Sequence, residues 1–94
     1  MRIIHGKYRG KPIIAPKILP VRPTTDFAKE GLFNILSNEF DIEDLDVLDL
    51  FSGTGNIAFE FASRGAKKVL CIDQNYHCVS FIKKMKRELN IEQL

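Results

Sequence analysis

The sequence predicts an α/β fold of the Rossmann-like kind: a strand–helix–strand–helix body preceded by a β-hairpin and one helix. Three observations predict it. Val47-Leu48-Asp49-Leu50-Phe51 and Lys68-Val69-Leu70-Cys71-Ile72 are short apolar runs of the length of buried parallel strands. Between them, Gly53-Thr54-Gly55 opens a helical run that stops at Gly65. Asp73 closes the second strand 20 residues after Gly53, the spacing of a ribose-binding acid in nucleotide sites.

The other elements follow in order. Arg2–His5 and Pro12–Ala15 read as short strands, with Gly6-Lys7-Tyr8-Arg9-Gly10-Lys11 as the turn between them. Pro16, Pro20 and Pro23 forbid a helix and keep the next stretch extended. Residues 1–23 are therefore expected to form a basic hairpin arm with its linker, and residues 24–94 the body. Thr24 or Thr25 can cap a helix whose dipole Asp26 favours, and Phe27, Leu32, Ile35 and Leu36 give it an apolar face to about Ser37. Asp41 to Asp46 reads as an acidic, exposed link. After the glycine turn a short helix carries Ile57, Ala58, Phe61 and Ala62 inward. The last helix places Val79, Ile82, Met85 and Leu89 on one face, with Lys83, Lys84, Arg87 and Glu88 outside.

Two strands are few for a parallel sheet, which is normally covered on both faces and has about five strands. The sheet is expected to be incomplete within this chain. Alone, the chain is expected to associate with itself, swap elements or partly unfold.

A chain of 94 residues, 45% apolar and 28% charged, has the balance of one globular domain. No apolar stretch approaches the ~18 residues of a membrane span, and the start lacks a signal-peptide layout, so no membrane and a cytoplasmic location are expected. Cys71 and Cys78 match no metal-binding spacing and read as reduced, small hydrophobes; no metal site is assigned. The net charge of +2 is unevenly spread. Residues 1–25 hold six basic residues and no acid, whereas residues 26–94 hold eight basic and twelve acidic ones. A basic arm on an acidic body points to a polyanionic partner, with a solvated terminus as the alternative.

Two ligand classes suit the glycine turn. Gly53-Thr54-Gly55-Asn56-Ile57-Ala58 fits the dinucleotide pattern and would bring NAD. Asp49 favours the other class. At roughly 4 Å a carboxylate repels each phosphate charge by about 1 kcal/mol in water and about 4 at intermediate dielectric. S-adenosylmethionine carries a sulfonium, an ammonium and one carboxylate but no phosphate, so Asp49 becomes favourable beside it. Gly53 and Gly55 would let the backbone lie against this ligand, and Asp73 would accept from both ribose hydroxyls.

Asp49-Leu50-Phe51-Ser52-Gly53-Thr54-Gly55 resembles the first motif of class I methyltransferases, and Val69-Leu70-Cys71-Ile72-Asp73 resembles their second. Ahead of them stand Arg2-Ile3-Ile4-His5-Gly6-Lys7-Tyr8-Arg9-Gly10-Lys11 and the stretch from Arg22-Pro23-Thr24-Thr25-Asp26 through Leu32-Phe33-Asn34-Ile35-Leu36. These resemble the start of the bacterial methyltransferases that modify N2 of a guanine in 16S ribosomal RNA. The resemblance runs from residue 2 to about residue 90. It implies the N-terminal portion of a class I methyltransferase fold, with S-adenosylmethionine held by Asp49, Phe51, Ser52, Gly53, Gly55, Asn56, Asp73 and Gln74. It also implies ribosomal RNA or the small subunit as partner, contacted by Arg2, Lys7, Tyr8, Arg9, Lys11, Arg22 and Thr24.

Phe27 and Lys29 stand where this family often has arginines. The family's catalytic motif, an Asp or Asn followed by Pro-Pro and an aromatic, has no counterpart, since no adjacent prolines occur. No catalytic residue is therefore assigned, and the chain alone is expected to be inactive. Two rival readings remain open: an NAD-dependent oxidoreductase, and a nucleic-acid-binding module that keeps the scaffold without the chemistry.

Overall fold

The computed structural model describes residues 1–17, 19 and 25–94. The body runs α1 (Asp26–Glu39), a 3-10 turn (Ile42–Asp44), β1 (Asp46–Leu50), α2 (Asn56–Ser63), β2 (Lys68–Ile72) and α3 (Tyr76–Leu89). β1 and β2 pair in parallel, from Asp46 beside Lys68 to Leu50 beside Ile72. α2 is the crossover between them and packs on both strands. The strand–helix–strand–helix order is as the sequence predicts, with β1 shifted one residue toward the N-terminus so that Phe51 falls in the turn instead of the strand.

Side chains set the helix ends. The Thr25 hydroxyl accepts from the Ala28 amide at 3.2 Å and caps α1. Asn75 caps α3 by accepting from the His77 and Cys78 amides at 2.9 and 3.2 Å. α3 ends at Asn90, which takes the left-handed conformation (φ 55°) that asparagine tolerates better than most residues.

The hairpin is not a free arm. Ile3, Tyr8 and Ile13 are buried in the same core as Phe33, Phe59, Val69, Ile82 and Met85. The two expected strands reduce to one antiparallel bridge, Arg2 with Pro12, flanked by bonds from the Ile3 amide to the Lys11 carbonyl (3.1 Å) and from the Ile13 amide to the Met1 carbonyl (3.0 Å). Pro12 has no N–H to extend the ladder. The turn lies directly on α2, where the Lys7 amide donates to the Ser63 carbonyl at 2.8 Å. A Cβ on Gly6 (φ 92°) would overlap that same carbonyl, so only glycine permits this approach.

Three expectations are corrected here. α1 buries Lys29 and Phe33, not the Phe27–Leu32–Ile35 face; Phe27 is 90% exposed. The periodicity misleads because Lys29 finds buried partners that outweigh its charge. α2 buries Ala58, Phe59 and Ala62 together with Asn56, Glu60 and Ser63, while Ile57 and Phe61 are only half-buried. With the sheet on one side and the hairpin and α1 on others, this helix has little solvent face to give its polar residues. The link from Asp41 to Asp46 is not wholly exposed: Ile42 is buried, and Asp41 caps the 3-10 turn by accepting from the Glu43 amide.

The sheet is covered on one face only. Val69 and Cys71 lie toward α2 and α3, whereas Leu48, Leu50, Leu70 and Ile72 alternate to the opposite face and are each about half exposed. This agrees with a sheet that is incomplete within the chain. Among the described residues, no helix is long and apolar enough to cross a membrane.

Candidate functional site

The end of β1 and the start of α2 are joined by a turn that Ser52 fastens to β2. Its amide donates to the Ile72 carbonyl (3.0 Å), and its hydroxyl donates to the Asp49 carbonyl (2.7 Å) and accepts from the Ile72 amide (3.2 Å). Asp73 reaches back from β2: one carboxylate oxygen accepts from the Gly53 amide and the other from the Asn75 amide, both at 2.8 Å. Each oxygen keeps lone-pair capacity for a further donor. Thus Asp49 and Asp73, at the ends of adjacent strands, converge on one turn.

Asp49 is held differently. Its Oδ2 is buried and has no hydrogen-bond partner among the described residues. Burial lifts its carboxyl above the ordinary value of 3.8 despite hydrogen bonds that oppose the lift, and the charge of Asp73 adds to it. Cys71, its neighbour across the ladder, is pushed up to about 11, by burial first and by Asp49 second. That thiol is free, and its burial disfavours the reactive thiolate.

Gly55 (φ 81°) sits so close to α2 and α3 that a Cβ there would meet Phe59 Cε2 at 2.8 Å and Ile82 Cγ1 at 3.0 Å. Phe51 has φ 59° and is 77% exposed. A left-handed non-glycine residue costs on the order of 1 kcal/mol, so a strained and exposed aromatic stands at the mouth of the turn. Gln74 is exposed and Asn56 buried.

A buried polar seam adjoins this turn, and the sequence did not bring it out. Lys29 is fully buried, and its ammonium donates to the Arg2 carbonyl (2.6 Å) and Asn56 Oδ1 (2.7 Å) and lies 3.2 Å from Glu60 Oε1. Glu60 also accepts from the Ile4 and His5 amides (2.8 and 3.0 Å) and from Arg64 Nε (2.8 Å). Burial opposes its ionisation, but the Ile4 amide, Arg64, the His5 amide and Lys29 together outweigh it, holding the carboxyl below its ordinary value of 4.5. Ser63 completes the seam, accepting from the Tyr8 amide (3.0 Å) and donating to the His5 carbonyl. A signal was present: Glu60 interrupts the otherwise apolar run Ile57-Ala58-Phe59-Glu60-Phe61-Ala62.

Arg2, Lys7, Arg9 and Lys11 are all exposed along the hairpin. Tyr8 is buried, and its hydroxyl donates to the Asn90 carbonyl at 3.3 Å, so its ring fastens the turn and is not presented to solvent. Arg22 and Thr24 lie outside the described residues.

A family model described as conserved hypothetical protein 95 matches residues 1–94. The chain belongs to that family. Relatives of the chain carry methyltransferase or methylase names. One is a ribosomal RNA small subunit methyltransferase D of Buchnera aphidicola, 42% identical over 93 residues, covering 97% of this chain and 46% of the relative. An uncharacterized methylase of Rickettsia prowazekii is 36% identical over 98 residues, covering 98% of this chain and 42% of the relative.

Among solved structures, a putative methyltransferase from Escherichia coli superposes with a TM-score of 0.86 at 33% identity, over 99% of this chain and 49% of that one. A hypothetical protein from Thermus thermophilus gives 0.85 at 26% identity, over 98% and 52%. The resemblance to bacterial ribosomal RNA methyltransferases, and the partial Rossmann-like fold it implies, are thereby borne out. The chain spans about half the length of the relatives it matches.

Proposed function

We propose that this chain is the cofactor-binding portion of an S-adenosylmethionine-dependent methyltransferase that acts on N2 of a guanine in 16S ribosomal RNA. The observation that carries the cofactor is Asp49: a carboxylate with a buried, unpartnered oxygen, just ahead of a glycine turn. Such a group opposes a pyrophosphate and welcomes a cationic ligand. The residues present fit S-adenosylmethionine. Asp73 has lone pairs for ribose hydroxyls, and Gly53 and Gly55 supply a close backbone. Phe51, Ser52, Asn56 and Gln74 border the same turn.

When bound, S-adenosylmethionine would supply an electrophilic methyl group to an amine held against it. This chain's residues bind and orient: the turn fixes the donor, and the hairpin fixes the RNA backbone. Arg2, Lys7, Arg9 and Lys11 are the phosphate contacts of this reading. A ribosomal substrate places the reaction in the cytoplasm.

Calorimetric titration with S-adenosylhomocysteine and with NAD tests the cofactor. The first is expected to bind more tightly; tighter NAD binding would overturn the assignment. Neutralising Lys7, Arg9 and Lys11 together is expected to flatten the salt dependence of RNA binding by up to ~3 units of log–log slope, less for single strands. An unchanged slope would leave the hairpin as a solvated surface.

A further inference from the structure

We infer that Lys29 is a positioning residue whose buried ammonium holds the hairpin and the cofactor turn in one register. This rests on reading Asn56 and its turn as part of the cofactor site. An ammonium has three protons to donate, and Lys29 has three acceptors, drawn from distinct places: the Arg2 carbonyl in the hairpin, Asn56 Oδ1 at the first residue of α2, and Glu60 one turn further along.

An anchor for α1 alone would need only Glu60, and an aliphatic side chain could fill the same space without burying a charge. The other two bonds join the candidate binding sites. Because an ammonium can only donate, the Asn56 amide must turn its oxygen toward Lys29 and its NH2 group away, which fixes the orientation of this buried side chain at the first residue of α2. The same ammonium fixes the Arg2 backbone, whose guanidinium lies 3.6 Å from Asp26 on the exposed side. Glu60 carries the connection into the hairpin through the Ile4 and His5 amides. Movement of Asn56 on ligand binding is therefore transmitted to the hairpin backbone through one charge.

The test is a titration of the isotopically labelled protein, under conditions where light scattering and amide dispersion show it monodisperse and folded, with S-adenosylhomocysteine, followed by amide chemical shifts. In the unsubstituted chain, resonances are expected to move at Gly53, Gly55 and Asn56 and also at Ile3, Ile4 and His5. In Lys29→Met the turn should still respond while the hairpin response disappears. Asn56→Ala, which leaves Lys29 its bonds to Arg2 and Glu60, should silence the hairpin in the same way at saturating ligand, and it decides the matter if Lys29→Met does not fold. A hairpin response that persists in a folded variant, or a turn response without a hairpin response in the unsubstituted chain, would overturn the positioning role alone. No response at the turn in the unsubstituted chain would overturn the cofactor reading and this inference with it.

Discussion

Two regions of this molecule invert the usual distribution of polarity. Between α1, α2 and the hairpin, Lys29 and Glu60 are fully buried and Arg64 nearly so. On the outer face of the sheet, Leu48, Leu50, Leu70 and Ile72 stand half in water. The difference lies in where each region's partners are. The seam finds most of its partners locally: the Lys29 ammonium has three acceptors and Glu60 has two amides and two cations, while Arg64 keeps one buried nitrogen without a hydrogen bond among the described residues. Arg64 also lies over the Phe33 ring at 4.4 Å. The sheet face has no such local complement, and side-chain rotation cannot hide four residues that alternate to one side of paired strands. Buried charge can thus be largely satisfied by nearby groups while exposed leucine is not.

Glu60→Ala should break this contrast most severely. It would leave the Lys29 ammonium buried without its countercharge, a loss of about 3–5 kcal/mol in unfolding free energy. Urea denaturation measures it, and amide exchange at Ile4 and His5 should rise with it. A cost below about 1 kcal/mol would mean that the seam behaves like a surface ion pair.

At the turn between the two regions, Asp73→Ala removes the acceptor of the Gly53 and Asn75 amides and the expected ribose partner. S-adenosylhomocysteine affinity should fall by roughly 1.5–3 kcal/mol, as for hydrogen bonds to a charged group. Unchanged affinity in calorimetry would remove Asp73 from the cofactor site.

Acid should separate the seam from the turn. Glu60 is held below 4.5, so its stabilisation is complete above that pH and is lost as pH falls through its lower, folded value. Asp49 is raised above 3.8, so the penalty of its burial is present above its folded value and is relieved as pH falls toward 3.8. A tenfold difference in proton affinity between the folded and unfolded chain is worth about 1.4 kcal/mol. The Ile4 and His5 amides are therefore expected to lose protection below about pH 4.5 before the Gly53 amide does. The reverse order would place the weak point at the turn.

The smallest effect on stability is expected on the sheet face. Leu48→Lys with Leu70→Lys should alter the stability of a single copy by only about 0.5 kcal/mol, because both positions already meet solvent. The same pair should suppress the self-association expected of this face, with light scattering as the measurement, since a charged face does not stack on its copy. Association that persists would have to run through the strand edges.

Local sequence determined the elements and the turn. Two five-residue apolar runs, caps at Thr25 and Asn75, and glycines flanking α2 all act within a few residues of themselves, so their consequences are readable along the chain. The placement of Asp49 and Asp73 at adjacent strand ends follows from the same local signals, because a parallel pair joined by one helix brings those ends together. Tertiary structure alone decided which sides were buried. Phe27 and Ile35 look like core residues by periodicity and are exposed, while Lys29 looks like solvent and is buried as completely as Phe33. Tyr8, set among lysines and arginines, turns its ring into the core. Periodicity reports how much apolar surface a helix carries. Whether a lysine can be buried depends on a carboxylate 31 residues away and on two backbone amides of the hairpin, and only the folded chain brings those groups within 3.2 Å.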